Sequence, residues 1–115
     1  MRRGKEIAQG SHASMEFLTS QIRQQLHEKA ELTVALNAAE AAWLSAGMAK
    51  VCLQVNSEEV LLDYHEKALR HDLKSFLITD SGRTEFGGTP TLTACAIGPA
   101  PASRIDAVTG NLTLY

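Results

Sequence analysis

An α/β fold, a three-layer α/β/α sandwich around a small mixed sheet of about three or four strands, is predicted by three features of this sequence. Short runs rich in β-branched and apolar residues, at 50–55, 75–79 and 91–97, alternate with longer stretches of helical period. Glycine, proline and polar clusters punctuate the junctions. The length of 115 residues, with 44% hydrophobic and 21% charged residues, suits a single domain spanning residues 1–115 with one core.

The first helix is predicted over residues 4–29. Lys5, Gln9 and His12 follow one another at spacings of four and three, so at about 100° per residue they share a narrow wedge of one face, which Glu16 extends. The opposite side carries Ile7, Met15, Leu18 and Ile22, and the expectation is that this side packs while the polar wedge is left for chemistry. Gly10 costs the helix up to about 1 kcal/mol relative to Ala, which predicts close approach of a backbone or ligand there. A second, Ala-rich helix is expected over 33–46, with Leu36, Ala39, Ala42, Trp43 and Ala46 on one side and Gly47 as its C-cap. Trp43 either closes the core or stacks half-exposed against a ligand.

Residues 50–55 form the first predicted strand. Asn56 then caps a helix with Glu59 at its third position, continuing through Val60, Leu61, Tyr64, Ala68 and Leu69 to a stop at His71 and Asp72. The second strand, 75–79, runs into Asp80-Ser-Gly-Arg-Thr84, and residues 87–90 are a loop. The third strand, 91–97, ends at Gly98-Pro-Ala-Pro101. A short helix over 102–108 and a turn at Thr109 and Gly110 lead to the tail, residues 111–115.

The formal net charge of −2 argues against coating nucleic acid by charge alone, so any such contact needs a local patch, of which Arg2, Arg3 and Lys5 are the densest. Cys52 and Cys95 lie in apolar stretches without a Cys-x-x-Cys spacing, so they are expected to behave as small hydrophobes, with no disulfide and no metal. No apolar run approaches the roughly 20 residues that span a bilayer and no signal-peptide pattern opens the chain, which makes the cytoplasm the expected compartment and excludes a membrane partner at this stage. Nothing decides whether two copies pair, and a homodimer is retained as one assembly.

Histidine is the side chain whose ordinary titration falls near neutrality, so His12, with Lys5 and Gln9 beside it, is the leading candidate for acid, base or proton-shuttle work. An exposed or capping histidine is the bland alternative. His27, His65 and His71 lack such company and are expected at the surface. Asp80, at the end of a strand where α/β folds gather ligands, can form an Asx turn or serve as a carboxylate that orients a water or a histidine. Thr84 and Thr93 can give hydroxyls to a site or simply belong in and beside strands. Nucleophile elbow, phosphate loop, dinucleotide fingerprint and zinc-helix motifs are all missing from the sequence.

Four ordered blocks resemble the archaeal and eukaryotic-type (type 2) peptidyl-tRNA hydrolase family. The family's opening Met-Gly-Lys-Gly-Lys-x-x-x-Gln-x-x-His-Ala is matched at Met1, Gly4, Lys5, Gln9, His12 and Ala13. Its Asp-Ala-Gly-x-Thr-Gln stands here as Asp80-Ser-Gly-Arg-Thr-Glu85, and its Thr-x-x-x-Ile-Gly-Pro as Thr93 through Ile97-Gly-Pro99. The ending Ile-Asp-x-Val-Thr-Gly-x-Leu-x-Leu runs from Ile105 to Leu114, and Trp43, Gly47 and Lys50 are similar to family residues ahead of the second family strand. Glu85 replaces the family's Gln, and the loop before Thr91 is one residue longer. The family also begins with an internal apolar strand ahead of the basic loop, so a chain starting at Met1 is expected to lack it, leaving unpaired backbone groups and a groove in the sheet.

The resemblance implies hydrolysis of the ester joining peptide to the terminal ribose of tRNA by a water molecule, without metal or cofactor. It implies His12 and Asp80 as the groups that position or activate the water. Lys5, Gln9, Thr84 and Thr93 would hold the ester, the ribose or the developing oxyanion, and Arg2, Arg3, Lys5 and Arg83 would meet tRNA phosphates. Two other readings stand beside this one: a non-catalytic tRNA- or protein-binding module derived from the family, and a hydrolase of some other small ester or amide.

Overall fold

Helix α1, Arg3–Gln25, crosses a two-stranded antiparallel sheet made of β1, Ser75–Asp80, and β2, Thr91–Ile97. The computed structural model describes residues 1–28, 30–82 and 87–115, and among these it adds α2, Ala38–Ser45, α3, Glu58–Arg70, and α4, Ala102–Thr109. The α/β class predicted above is therefore the class of the fold. Ser75 and Asp80 are five residues apart on β1 and so face opposite sides of the sheet. Ser75 meets His65 of α3, while Asp80 meets Lys5 of α1. The sheet thus lies between α1 on one face and α3 on the other, with α4 against α3.

The core on the α3 side is Ala68, Leu73 and Val108, with Tyr64, Ile97 and Ala100 packed around it. On the α1 side the buried stripe is Gln9, Ala13 and Phe17 at spacings of four. This departs from the predicted orientation in the first turns, where Ile7 is 66% exposed and Lys5 and Gln9 face inward, while Met15, Leu18 and Ile22 are half-buried and His12 is exposed. The cause is polar complementarity: the upper ends of β1 and β2 offer Asp80 and Thr93, so Lys5 and Gln9 are the groups drawn inward. Gly10 is exposed with open space where a side chain would stand, so no close approach explains it.

Helix α2 begins five residues later than expected because Asn37 and Glu40 close a reciprocal capping box. Gly47 follows its end at φ 94°, the left-handed region that glycine adopts at no steric cost. Trp43 is half-buried: its ring meets Phe17 edge-on at 5.7 Å, its indole N–H donates to the Ala49 carbonyl at 2.7 Å, and the Lys50 ammonium lies 5.1 Å over it. For α3 the capping side chain is Ser57, which accepts from the Val60 N–H at 3.2 Å, instead of Asn56. His65 is half-buried on Ser75 instead of lying free at the surface.

The predicted strand 50–55 joins no named sheet among the described residues. It forms one bridge, Leu53 with Leu114, flanked by bonds from the Gln54 N–H to the Thr113 carbonyl and from the Tyr115 N–H to the Cys52 carbonyl. Residues 52–54 and 113–115 thus make a short antiparallel ribbon, and the described sheet has two antiparallel strands where three or four mixed ones were expected. Cys52 is exposed on this ribbon and Cys95 is half-buried in β2; both are free thiols.

Candidate active site

The site forms where the first turns of α1 cross the upper end of the sheet. The Lys5 ammonium lies 2.6 Å from one Asp80 oxygen, and the Gly82 N–H donates to the other at 2.8 Å. The Asx turn expected at Asp80 is therefore formed, and the carboxylate's side-chain partner is the Lys5 ammonium, which was not foreseen. Lys5 beside it, then the Gly82 N–H, hold the Asp80 carboxyl below its ordinary value of 3.8, against a smaller opposing effect of burial. Gly82 sits at φ 82°, and a Cβ there would stand 2.2 Å from the Thr89 carbonyl oxygen. Glycine is thus required at the residue whose N–H holds the carboxylate.

One turn further along α1, the buried Gln9 accepts a 2.5 Å hydrogen bond from the Thr93 hydroxyl, which also reaches the Ile78 carbonyl at 3.4 Å. Thr93 owes this direction to a β-bulge. Ile78 pairs with Ala94 and Thr79 with Leu92, so Thr93 is the extra residue on β2. In an unbroken strand Thr93 would share the face of Cys95, whose thiol approaches Ser75 on the α3 side. The inserted residue turns the hydroxyl to the α1 side instead.

His12 lies one turn beyond Gln9, exposed, on the wall of a groove that runs along α1 beside Leu77, Ile78 and Thr79. Among the described residues it has no hydrogen-bond or ion-pair partner. Arg2 is the N-cap residue of α1 and Arg3 its first residue, both exposed. The structure brings Lys5 to Asp80 and Gln9 to Thr93, and sets His12 on the same helix at the mouth of the groove. Thr84 and Arg83 lie outside the described residues. No three His, Cys, Asp or Glu side chains gather as a metal site among the described residues.

The expected Asx turn at Asp80-Ser-Gly anticipated the Gly82 donor. Sequence reasoning missed the Lys5 to Asp80 pair and the Gln9 to Thr93 link, the latter depending on a bulge that no local pattern marks.

Comparison with known proteins gives one consistent result. The family described as "Peptidyl-tRNA hydrolase PTH2" matches residues 1–115. The chain is 38% identical over 114 residues to a peptidyl-tRNA hydrolase of Methanocaldococcus jannaschii, covering 99% of this chain and 89% of that protein. It is 35% identical over 119 residues to one from Aeropyrum pernix, covering 100% of this chain and 86% of the relative. A probable peptidyl-tRNA hydrolase 2 of Dictyostelium discoideum is 36% identical over 115 residues, where the chain spans 49% of the relative's length.

Proposed function

The chain belongs to the peptidyl-tRNA hydrolase PTH2 family, and from that premise we propose that it hydrolyses the ester between peptide and tRNA with the site at the crossing of α1 and the sheet. The enzyme is an ester hydrolase that releases free tRNA for reuse in translation. The observation that carries the siting is the convergence of Lys5 with Asp80 and Gln9 with Thr93 at one end of the sheet, within a turn of His12.

In this reading a water oxygen attacks the ester carbonyl, His12 takes its proton, and the tetrahedral intermediate expels the ribose oxygen, which is protonated in turn. Asp80 stays ionised and serves to hold Lys5, whose ammonium lies where negative charge develops. Gln9 and Thr93 hold the ester or ribose, with Thr84 assigned the same work. A donor aimed at an oxyanion lowers the barrier by about 3 kcal/mol. Arg2, Arg3 and Arg83 meet tRNA phosphates, with Lys5 a weaker contributor because Asp80 already engages it. No helix among the described residues is long and apolar enough to cross a membrane, and translation is the process served, so the cytoplasm is the proposed compartment.

Release of peptide from purified peptidyl-tRNA tests this. Turnover by the wild-type chain is expected, with losses of about 100-fold or more in His12→Ala and in Asp80→Asn while circular dichroism stays native. Wild-type rates in both variants would overturn the assignment, and inactivity of the wild-type chain would leave a binding module.

A further inference from the structure

The carboxamide of Gln9 has two unlike ends, an acceptor oxygen and a donating N–H2, and the end that faces outward decides what the site can hold. Thr93 engages one end from a distance of 2.5 Å. An O–H···O bond spans about 2.5–3.0 Å and an N–H···O bond about 2.7–3.2 Å, so the Gln9 atom on Thr93 is its carbonyl oxygen. The reverse orientation would turn the N–H2 toward Thr93 and send the hydroxyl proton to the Ile78 carbonyl, which at 3.4 Å is the poorer acceptor. Thr93 reaches Gln9 at all because the bulge takes it out of the phase of Cys95.

The nitrogen end is left over. No further hydrogen bond reaches the Gln9 side chain among the described residues, and among them no buried side-chain nitrogen lacks a partner. The Gln9 N–H2 therefore reaches the surface, through the 5% of the residue that stays exposed. Gln9 shares its face of α1 with Lys5, four residues before it, and with His12, three after, so amide, ammonium and imidazole are neighbours on the helix.

We infer that Thr93 is a positioning residue that never touches substrate: its hydroxyl locks the Gln9 amide, and the Gln9 Nε2 hydrogens donate to the ester carbonyl oxygen as it takes on negative charge. This rests on the ester-hydrolase reading and divides between the two residues the work of holding the ester. An amide free to rotate presents its oxygen as readily as its nitrogen, and an acceptor facing an oxyanion repels it. The bond from Thr93 removes that choice before substrate arrives, so the donor needs no reorganisation in the transition state. The Lys5 ammonium, one turn away and held by Asp80, is the second donor to the same oxygen.

Turnover of peptidyl-tRNA in a double-mutant cycle tests this. Gln9→Ala is expected to lower kcat about 100-fold. Thr93→Val, close to Thr in shape but without the hydroxyl, should lower kcat about tenfold with KM unchanged, and Thr93→Ser should recover most of that loss. With Gln9→Ala already in place, Thr93→Val should change kcat by less than about twofold, because its effect passes through Gln9 alone. A combined loss of about 1,000-fold, the product of two independent effects, would overturn the proposal. Gln9→Glu keeps an oxygen for Thr93 while removing the donors, so it decides the matter even where Thr93→Val loses its native circular dichroism. Its kcat should fall as far as that of Gln9→Ala, and wild-type turnover would overturn the proposal. Two adenosine analogues separate this outcome from failure of the hydrolase reading. One carries N-acetylphenylalanine at the 3′ position through an amide, the other its phosphonate counterpart, which mimics the tetrahedral oxyanion. Gln9→Ala should weaken the phosphonate about tenfold or more and the amide less than about threefold. Equal weakening of both would overturn the proposal and leave the hydrolase reading in place. A wild-type chain that neither turns over peptidyl-tRNA nor binds either analogue would overturn both.

Discussion

Asp80 links the chemistry of the site to the stability of its loop. Because its folded-state pKa lies below the ordinary 3.8, its ionised form stabilises the fold above that value, and the contribution is lost as pH falls through the depressed pKa. Asp80→Asn is therefore expected to be less stable than wild type at neutral pH. The gap should narrow only below 3.8 and close once the wild-type carboxyl is protonated, as chemical denaturation in a pH series would show. Gly82→Ala places a methyl group against the Thr89 carbonyl at a positive φ, and should cost about 1–3 kcal/mol in thermal melts while lowering turnover through loss of the Asp80 contact. At this scale the sequence was informative: the spacing of Lys5, Gln9 and His12 and the Asp80-Ser-Gly turn already named the groups that meet. It misjudged which way Lys5 and Gln9 point, since a polar stripe reads as solvent-facing until its partners, Asp80 and Thr93, are known.

Helix α2 shows how much an element depends on contacts outside itself. Glu40 is fully buried, yet one carboxylate oxygen accepts from the Asn37 N–H at 2.9 Å and the other meets the Lys74 ammonium at 2.9 Å, just ahead of β1. Its own N–H donates back to Asn37 at 2.8 Å. Glu40→Ala removes the cap and the ion pair together and should cost about 3 kcal/mol, whereas Glu40→Gln keeps an acceptor for Asn37 and should cost about 1 kcal/mol, as read by urea denaturation. The Asn-x-x-Glu spacing was legible and marks the helix start better than the Ala-rich pattern that begins at Thr33. For residues 50–55 the apolar run indicated a strand, and 52–54 do pair in a short ribbon, but a strand needs neighbouring strands to belong to a sheet. The tail that supplies one, 113–115, lies 60 residues away in the Gln54 to Leu114 contact.

Across the whole molecule, a net charge of −2 coexists with a basic first turn on α1. If Arg2 and Arg3 each engage a phosphate, replacing both by Ala should reduce the slope of log affinity for tRNA against log salt by about 1.5, while affinity in high salt changes little. Filter binding over a salt series measures this. The overall α/β class was readable from alternating strand-like and helical segments, whereas strand count and direction depend on pairing between distant segments that periodicity does not encode. The bulge at Thr93 carries that separation into a single strand. Residues 94–97 keep the phase that packs Cys95 and Ile97 toward α3, and Thr93 belongs to a second phase facing α1. One inserted residue thus divides the seven positions of β2 between two sets of partners, one on α3 and one on α1.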